Sequence, residues 1–384
     1  MVRFGHISVA VPVLGESDTL PKLLECLRRQ SIREFSLYVC VNQPEAWHTS
    51  PDTHEREAVD DNRRTIEMLA GIGDMDLTVI DRSSRGLGWT ERRKGVGWAR
   101  KTLFERIVTE RSNNEIIVSL DADTQFAPDY LASILDTFER TSTLSAISVP
   151  YYHPLCNNEY LNRSLLRYEC YMRHYMINML EIGCPYAFTA LGSAMAFRVT
   201  AYKKTGGITP LQGGEDFYLM QKLVKCGQVA LTGGTVYPQG RISWRVPFGT
   251  GPAVAMTTEI QASKYPFYAK TSFLKVKETY NLFPTLFDND TETPMSAFLR
   301  TQLKSDDLWG PLRRNFKSRE LFVRACKERI DGLRILQYLR SLDVTDKPPV
   351  DFAKDTIGQL DAYRDLLFEK EMTLRNKVIR VGLQ

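Results

Sequence analysis

Two pairs of acidic residues stand out because each adjoins a segment that can hold it in a fixed position. Asp121 and Asp123, separated by one alanine, follow the apolar run 116–120. Two carboxylates at the end of a buried strand can hold a hard divalent cation through oxygen, leaving its other positions to water and a diphosphate. In the alternative interpretation, the two aspartates only cap the loop before a helix that starts near Pro128.

The second pair, Glu215 and Asp216, follows Gly213 and Gly214 and opens an apolar-periodic segment. Acidic residues in a first helical turn favour the helix dipole, so an ordinary helix N-terminus is one interpretation. A positioned carboxylate can also act as the general base for an attacking hydroxyl group. The residues alone leave both interpretations open.

Alternating strand and helix patterns surround these acids. Short β-branched runs predict buried strands, and leucines at helical spacing predict helices between them. Such an alternation favours an α/β fold with a doubly wound, mostly parallel sheet, which binds ligands at the carboxyl ends of its strands. The predicted strands are 7–13, 35–41, 77–80 and 116–120, and the predicted helices are 20–29 and 92–109.

The rest of the chain reads as mostly helical. The polar stretch 43–73 predicts a partly helical insertion, and apolar residues at helical spacing predict a long helix over 157–180. Strand patterns fade after about residue 255. We therefore predict a nucleotide-sugar-binding catalytic domain at 1–255 and a mainly helical C-terminal extension at 256–384.

The order and spacing of five motifs resemble the family 2 glycosyltransferases, which adopt the GT-A fold. Over residues 5–255, the motifs are Pro12 with Glu16, Ala99-Arg100-Lys101, Asp121-Ala122-Asp123, the small-residue segment 192–198, and Glu215-Asp216. The resemblance implies a GT-A-type fold and a metal-dependent, inverting transfer of a hexose. The partners it implies are a nucleoside diphosphate sugar (UDP- or GDP-linked) and a glycan or lipid-linked acceptor, as in surface polysaccharide or glycolipid assembly.

The resemblance also implies roles for single residues. Asp123 and Asp121 would hold Mn²⁺ or Mg²⁺, Asp216 would be the base, and Glu215 would orient the acceptor or a loop. Many relatives add a late histidine as a metal ligand, but no histidine follows His174 here. The implied nucleotide-sugar-binding residues are Pro12, Glu16, Asn42, Arg100 and Asp121.

Asn42 stands where the family often has an aspartate that reads the base. An amide can both donate and accept hydrogen bonds, so uracil and guanine remain open. Arg241 and Arg245 occupy the place of a mobile loop over the diphosphate and can grip phosphate oxygens. In the alternative interpretation they are ordinary surface cations.

Net charge, cysteine content and hydropathy exclude few classes of function. The net charge of +4 over 384 residues is far below that of a dedicated nucleic-acid binder, so we expect no nucleic-acid partner. Seven widely spaced cysteines without a C-x-x-C pair favour a reducing cytoplasm. No apolar run approaches the roughly 18 residues of a spanning helix. The basic stretch 313–340 suggests peripheral contact with the inner face of the membrane, or a solvated helix packed on the catalytic domain.

Three other classes compete with a glycosyltransferase. A dinucleotide-dependent oxidoreductase would need G-x-G-x-x-G after the first strand, which neither Gly86-Leu87-Gly88 nor Gly95-Val96-Gly97 provides. A nucleotidyltransferase normally has a glycine-rich loop where this chain has 14–17. A non-catalytic GT-A-like nucleotide-binding or scaffold protein is the third class, and the presence of both acidic pairs argues against it.

Overall fold

The computed structural model describes residues 6–242 and 249–382, and the chain divides into two compact units. Within the described residues, the first unit contains 6–165, 188–242, 249–257 and 375–382. The second contains 166–187 and 258–374. The sequence predicted one boundary between 255 and 256, and that functional division remains a prediction.

Strands and helices alternate in the first unit up to residue 148, except that two strands follow one another between residues 116 and 126. In chain order they are β1 (Ile7–Val13), α1 (Leu20–Arg28), β2 (Phe35–Asn42), α2 (Thr53–Ala70), β3 (Asp76–Arg82), α3 (Val96–Glu110), β4 (Ile116–Ser119), β5 (Gln125–Phe126), α4 (Tyr130–Arg140), β6 (Leu144–Ser148), α5 (Glu159–Glu181, of which only 159–165 belong to this unit), β7 (Met195–Arg198), α6 (Val199–Lys204), α7 (Glu215–Cys226), β8 (Gln228–Ala230), β9 (Val236–Tyr237) and α8 (Thr250–Val254).

Seven strands of the described residues form one sheet in the order β3-β2-β1-β4-β7-β6-β8. Its pairs are parallel except at β7, which lies antiparallel between β4 and β6. The prediction of a mostly parallel, doubly wound sheet with a helical C-terminal extension is confirmed. Strand patterns predicted only the first four of these strands.

The central strands form where the sequence has continuous apolar runs. Every residue of β1, β2 and β4 is buried, as expected for parallel strands covered on both faces. Pro12 is tolerated in β1 because the pairing of β1 with β4 ends at Ala10, so its missing N–H interrupts no ladder on that side.

A buried arginine of the last helix belongs to the first unit. In α15 (Ile357–Gly382), Arg375 is fully buried. Its guanidinium donates to the carbonyl oxygen of Ser148 at 2.9 Å and to Oγ1 of Thr189 at 3.2 Å. Residue 375 therefore belongs to the core that surrounds the end of β6.

The second unit is helical. Besides parts of α5 and α15, it contains α9 (Thr258–Lys264), α10 (Lys270–Leu282), α11 (Ser296–Leu303), α12 (Gly310–Asn315), α13 (Arg319–Arg329) and α14 (Gly332–Leu342). Arg173 on α5 is fully buried and pairs with Glu169 at 2.5 Å and with Glu371 at 2.8 Å. Because each charge has an opposite partner, this buried network avoids the cost of isolated ions.

Acidic neighbours compensate several cations of the basic stretch 313–340. Arg313 pairs with Asp290, Arg319 with Asp288, and Arg324 with Glu328. Within the part of the chain that the structure describes, no helix combines the length and apolar character needed to cross a bilayer. All seven cysteines are described, and none forms a disulfide bond.

Gly97 fixes how closely α3 approaches the segment before α7. A Cβ atom at this position would lie 2.1 Å from the carbonyl oxygen of Leu211. We expect Gly97→Ala to lower the free energy of unfolding by about 1–3 kcal/mol, because backbone must move to relieve the overlap. Chemical denaturation of the purified variant measures this.

Gly73→Ala is the matched control, because a Cβ at Gly73 would meet nothing within 4 Å. Its unfolding midpoint should stay near that of the unsubstituted protein. Equal effects of the two substitutions would contradict the packing interpretation.

Candidate active site

The acidic residues lie at the carboxyl edge of the central strands. The parallel strands β2, β1 and β4 end there at Asn42, Val13 and Ser119. Because β7 runs the opposite way, it begins at this edge, with Met195 opposite Ser119. Segments that are distant in sequence therefore meet at one place.

Arg100 joins the two acidic motifs. It lies in the second turn of α3, and its side chain is only 4% exposed. One terminal nitrogen, Nη2, donates to Oδ1 of Asp121 at 2.5 Å, and the other donates to Oε1 of Glu215. Burial lowers the pKa of Arg100, but these carboxylates raise it above its ordinary value. The guanidinium is therefore a permanent positive charge between Asp121 and Glu215.

Gly192 forms the wall against which this guanidinium lies. A Cβ atom at position 192 would fall 1.8 Å from Nη2 of Arg100. The arginine cannot yield easily, because its nitrogens are engaged by two carboxylates in a buried setting. Position 192 therefore requires glycine if Arg100 is to keep its place. The sequence signal for this contact is only that Gly192 begins a run of small residues.

Asp216 has the most perturbed carboxyl group of the site. Burial and the neighbouring charge of Glu215 raise its pKa from 3.8 to about 7, against the opposing effect of Arg100. Its Oδ1 accepts a hydrogen bond from the backbone N–H of Phe217 at 2.7 Å. A carboxylate that titrates near neutral pH can accept a proton from a hydroxyl group during a reaction.

Asp123 and Glu16 share a second arginine. Nε of Arg241 lies 3.3 Å from Oδ2 of Asp123, and its Nη2 donates to Oε1 of Glu16. The other oxygen of Glu16 accepts a hydrogen bond from Oγ1 of Thr19 at 2.6 Å. Burial lowers the pKa of Arg241, whereas Glu16 and Asp123 raise it, and the net shift is upward.

The donor set of this edge suits a hard divalent cation. Asp121 and Asp123 offer carboxylate oxygens, and their side chains are 37% and 15% exposed. Among the described residues, no three His, Cys, Asp or Glu side chains converge as a ready-made cage. A cation held here would take its remaining ligands from water and phosphate, as Mg²⁺ commonly does.

Asn42 is buried and engaged inside the protein. Its amide nitrogen donates to the carbonyl oxygen of Val13 at 2.8 Å, and its oxygen accepts from the indole N–H of Trp89 at 3.2 Å. These contacts order the ends of β1 and β2. No sequence pattern indicated that Trp89 belongs to this edge. Arg245, expected to grip phosphate, lies outside the described residues.

The first glycine triplet named for the oxidoreductase alternative has another role. The backbone N–H groups of Gly86 and Gly88 donate to the carboxylate of Glu45 at 2.8 and 2.9 Å. The triplet follows β3 rather than β1. It therefore does not form the phosphate-binding turn after the first strand that a dinucleotide site requires.

Comparison with known proteins gives a family match. The family model described as "Glycosyl transferase family 2" matches residues 8–206, slightly more than half of the chain. No curated protein sequence matches at a significant level.

Several solved structures are remotely similar. Residues 1–349 of S. aureus TarS are 11% identical to this chain, with a TM-score of 0.41 over 98% of this chain and 92% of that chain. The mannosyltransferase PcManGT from Pyrobaculum calidifontis, in complex with GDP-Man and Mn²⁺, is 14% identical, with a TM-score of 0.39 over 98% and 86%. A glucosyl-3-phosphoglycerate synthase from Mycobacterium tuberculosis is 16% identical, with a TM-score of 0.35 over 60% and 71%.

The raised pKa of Asp216 predicts a pH-dependent cost to stability. Between its ordinary pKa of 3.8 and the folded value of about 7, the folded protein keeps a proton that the unfolded chain releases. Stability therefore falls as pH rises through this window. Asp216→Asn has no such proton to lose. Its Tm should exceed that of the unsubstituted protein above pH 7, and the difference should shrink as pH falls toward 4.

Thermal unfolding across this pH range measures the difference. Glu139→Gln, at an exposed carboxylate on α4, is the control and should leave the profile unchanged. A constant difference between Asp216→Asn and the unsubstituted protein at every pH would contradict the pKa assignment.

Proposed function

The chain belongs to glycosyl transferase family 2, and we propose that it transfers a sugar from a nucleoside diphosphate to an acceptor hydroxyl group with inversion at the anomeric carbon. One observation carries the proposal: the buried guanidinium of Arg100 pairs with both Asp121 and Glu215. This pairing brings a candidate cation site and a candidate base into one cluster at the edge where such sheets bind ligands.

The residues around the ends of β1 and β4 bind the donor. Asp123 and Asp121 hold Mn²⁺ or Mg²⁺, which neutralises charge on the diphosphate when bound. Glu16 and Arg100 position the nucleotide, and Pro12 shapes the end of β1. Because the amide of Asn42 is engaged with Val13 and Trp89, we assign it to ordering the base pocket from behind.

The chemical step is a single displacement. The oxygen of the acceptor hydroxyl group forms a bond to the anomeric carbon while the bond from that carbon to the diphosphate oxygen breaks. The hydroxyl proton passes to the carboxylate of Asp216, and the nucleoside diphosphate leaves with the electron pair. Attack from the side opposite the leaving group inverts the anomeric centre. Glu215 keeps Asp216 in place through its bond to Arg100.

The partners of the site are the donor diphosphate, an acceptor glycan and the membrane surface. Arg241 and Arg245 grip the diphosphate oxygens of the bound donor. The acceptor is a glycan or a lipid-linked glycan in surface polysaccharide or glycolipid assembly. The enzyme works in the cytoplasm, with peripheral contact at the inner face of the membrane as the way to reach a lipid-linked acceptor.

Donor binding can be tested without knowing the acceptor. UDP- and GDP-sugars with Mn²⁺ should raise the Tm for one nucleotide class, because ligand binding to the folded state stabilises it. Asp123→Ala should remove the metal-dependent part of that rise. Asp136→Ala, at an exposed ion pair with Arg140 on α4, is the control and should keep the full rise. Absence of stabilisation by any nucleotide would refute the donor assignment.

The base assignment predicts a separation of chemistry from binding. Asp216→Asn should lower transfer by about 10²- to 10⁴-fold, the usual contribution of a general base, while donor binding stays nearly intact. In the unsubstituted enzyme, kcat/KM should rise with pH and reach half its plateau near pH 7, where Asp216 loses its proton. Release of free UDP or GDP measures the rate. Equal loss of donor binding and transfer would count against this role.

A further inference from the structure

Arg241 lies between two carboxylates that the proposed reaction assigns to nucleotide and cation binding. Its guanidinium contacts Asp123 at 3.3 Å through Nε and Glu16 through Nη2. The side chains of Glu16 and Asp123 are only 9% and 15% exposed. Two poorly hydrated carboxylates that meet at one point repel each other unless a positive charge lies between them.

The wider site is rich in negative charge. Arg100 and Arg241 are the arginines that pair with its carboxylates among the described residues. Arg100 is committed to Asp121 and Glu215, and only 4% of its side chain is exposed. Arg241 is less constrained, because 31% of its side chain is exposed. Of the two cations, Arg241 is therefore the one that can leave its carboxylates.

The backbone on both sides of this contact is held by the fold. Strand β5 follows Asp123 by one residue and pairs antiparallel with β9, which leads to Arg241. Gly240 packs against Leu165 so closely that a Cβ would lie 2.4 Å from Cδ2 of the leucine. The start of the Arg241 side chain is thus held near Asp123, and only its guanidinium has to move.

We infer that Arg241 is an internal counter-cation, an inference that rests on the proposed function. In the free enzyme its guanidinium neutralises the carboxylates that the divalent ion neutralises when it is bound. A divalent ion that arrives alone must displace a guanidinium from Asp123 and leave that guanidinium without an anionic partner. A divalent ion that arrives with a nucleoside diphosphate brings phosphate oxygens, to which the displaced guanidinium can turn. The cation therefore binds well only together with the nucleotide.

Removal of Arg241 changes the Mn²⁺ affinity in opposite directions for this role and for a purely structural ion pair. If Arg241 only stabilises the fold, its removal leaves Mn²⁺ binding unchanged or weaker. If it competes with the cation, removal strengthens Mn²⁺ binding in the absence of nucleotide. The affinity for Mn²⁺ alone, measured from the electron paramagnetic resonance signal of free Mn²⁺, separates the two roles.

We expect Arg241→Ala to bind Mn²⁺ alone at least about tenfold more tightly than the unsubstituted protein, which corresponds to about 1.4 kcal/mol. Arg29→Ala removes the same charge from an exposed pair with Glu25 and should have no effect. Arg241→Lys keeps the charge and should bind Mn²⁺ nearly as weakly as the unsubstituted protein. Adding Asp123→Ala to Arg241→Ala should abolish the gain, because the ion then loses its ligand.

The same titrations with UDP or GDP present distinguish failure of this inference from failure of the proposed function. Unchanged Mn²⁺ affinity in Arg241→Ala, with nucleotide-dependent Mn²⁺ binding intact, overturns the counter-cation role and leaves the transferase proposal standing. Absence of nucleotide-dependent Mn²⁺ binding in the unsubstituted protein overturns the donor site itself. If Arg241→Ala is less stable in chelator, Mn²⁺ should restore its Tm, and lack of restoration also overturns the role.

Discussion

The placement of one buried guanidinium organises this protein's candidate active site. Arg100 can reach both Asp121 and Glu215 only because α3 begins at the carboxyl edge of the sheet and approaches the segment before α7 at Gly97. The same guanidinium leaves no room for a side chain at Gly192, just before β7. Three connections of the fold therefore converge on a single charge. A lysine in its place would have one nitrogen and could not bridge two carboxylates in this fixed, planar way.

Opposite charges hold the side chains of the site together, and this has a chemical result. Among the described residues, the carboxylates of the site outnumber the arginines that pair with them. Asp216 also lies deep among protein atoms, so a further negative charge is disfavoured there. The same imbalance favours the arrival of cations. A proton-accepting group and an affinity for positive charge are thus two effects of one arrangement, and neither requires a strained backbone.

Much of the fold could be predicted because its signals are local. The apolar runs that became β1, β2 and β4 are continuous and short, and the spacing of Asp121 and Asp123 after β4 is itself a motif. The pairing of Arg100 with Glu215 spans 115 residues, so no local pattern reveals it. Nor could the sequence show that the amide of Asn42 points inward to Val13, since burial depends on how β1 and β2 align. The direction of β7 was hidden for a similar reason, because a four-residue strand carries no mark of parallel or antiparallel pairing.

Because Arg375 belongs to the core of the first unit, the folding of that unit depends on the order in which the chain is synthesised. Domains generally begin to fold on the ribosome as their N-terminal parts emerge. Here the carbonyl oxygen of Ser148 and the hydroxyl group of Thr189 accept hydrogen bonds from a guanidinium that is synthesised more than 180 residues later. Until that residue is present, these two buried acceptors lack its hydrogen bonds, and the nascent core is incomplete. The first unit therefore cannot reach its final packing during translation until Arg375 has been made.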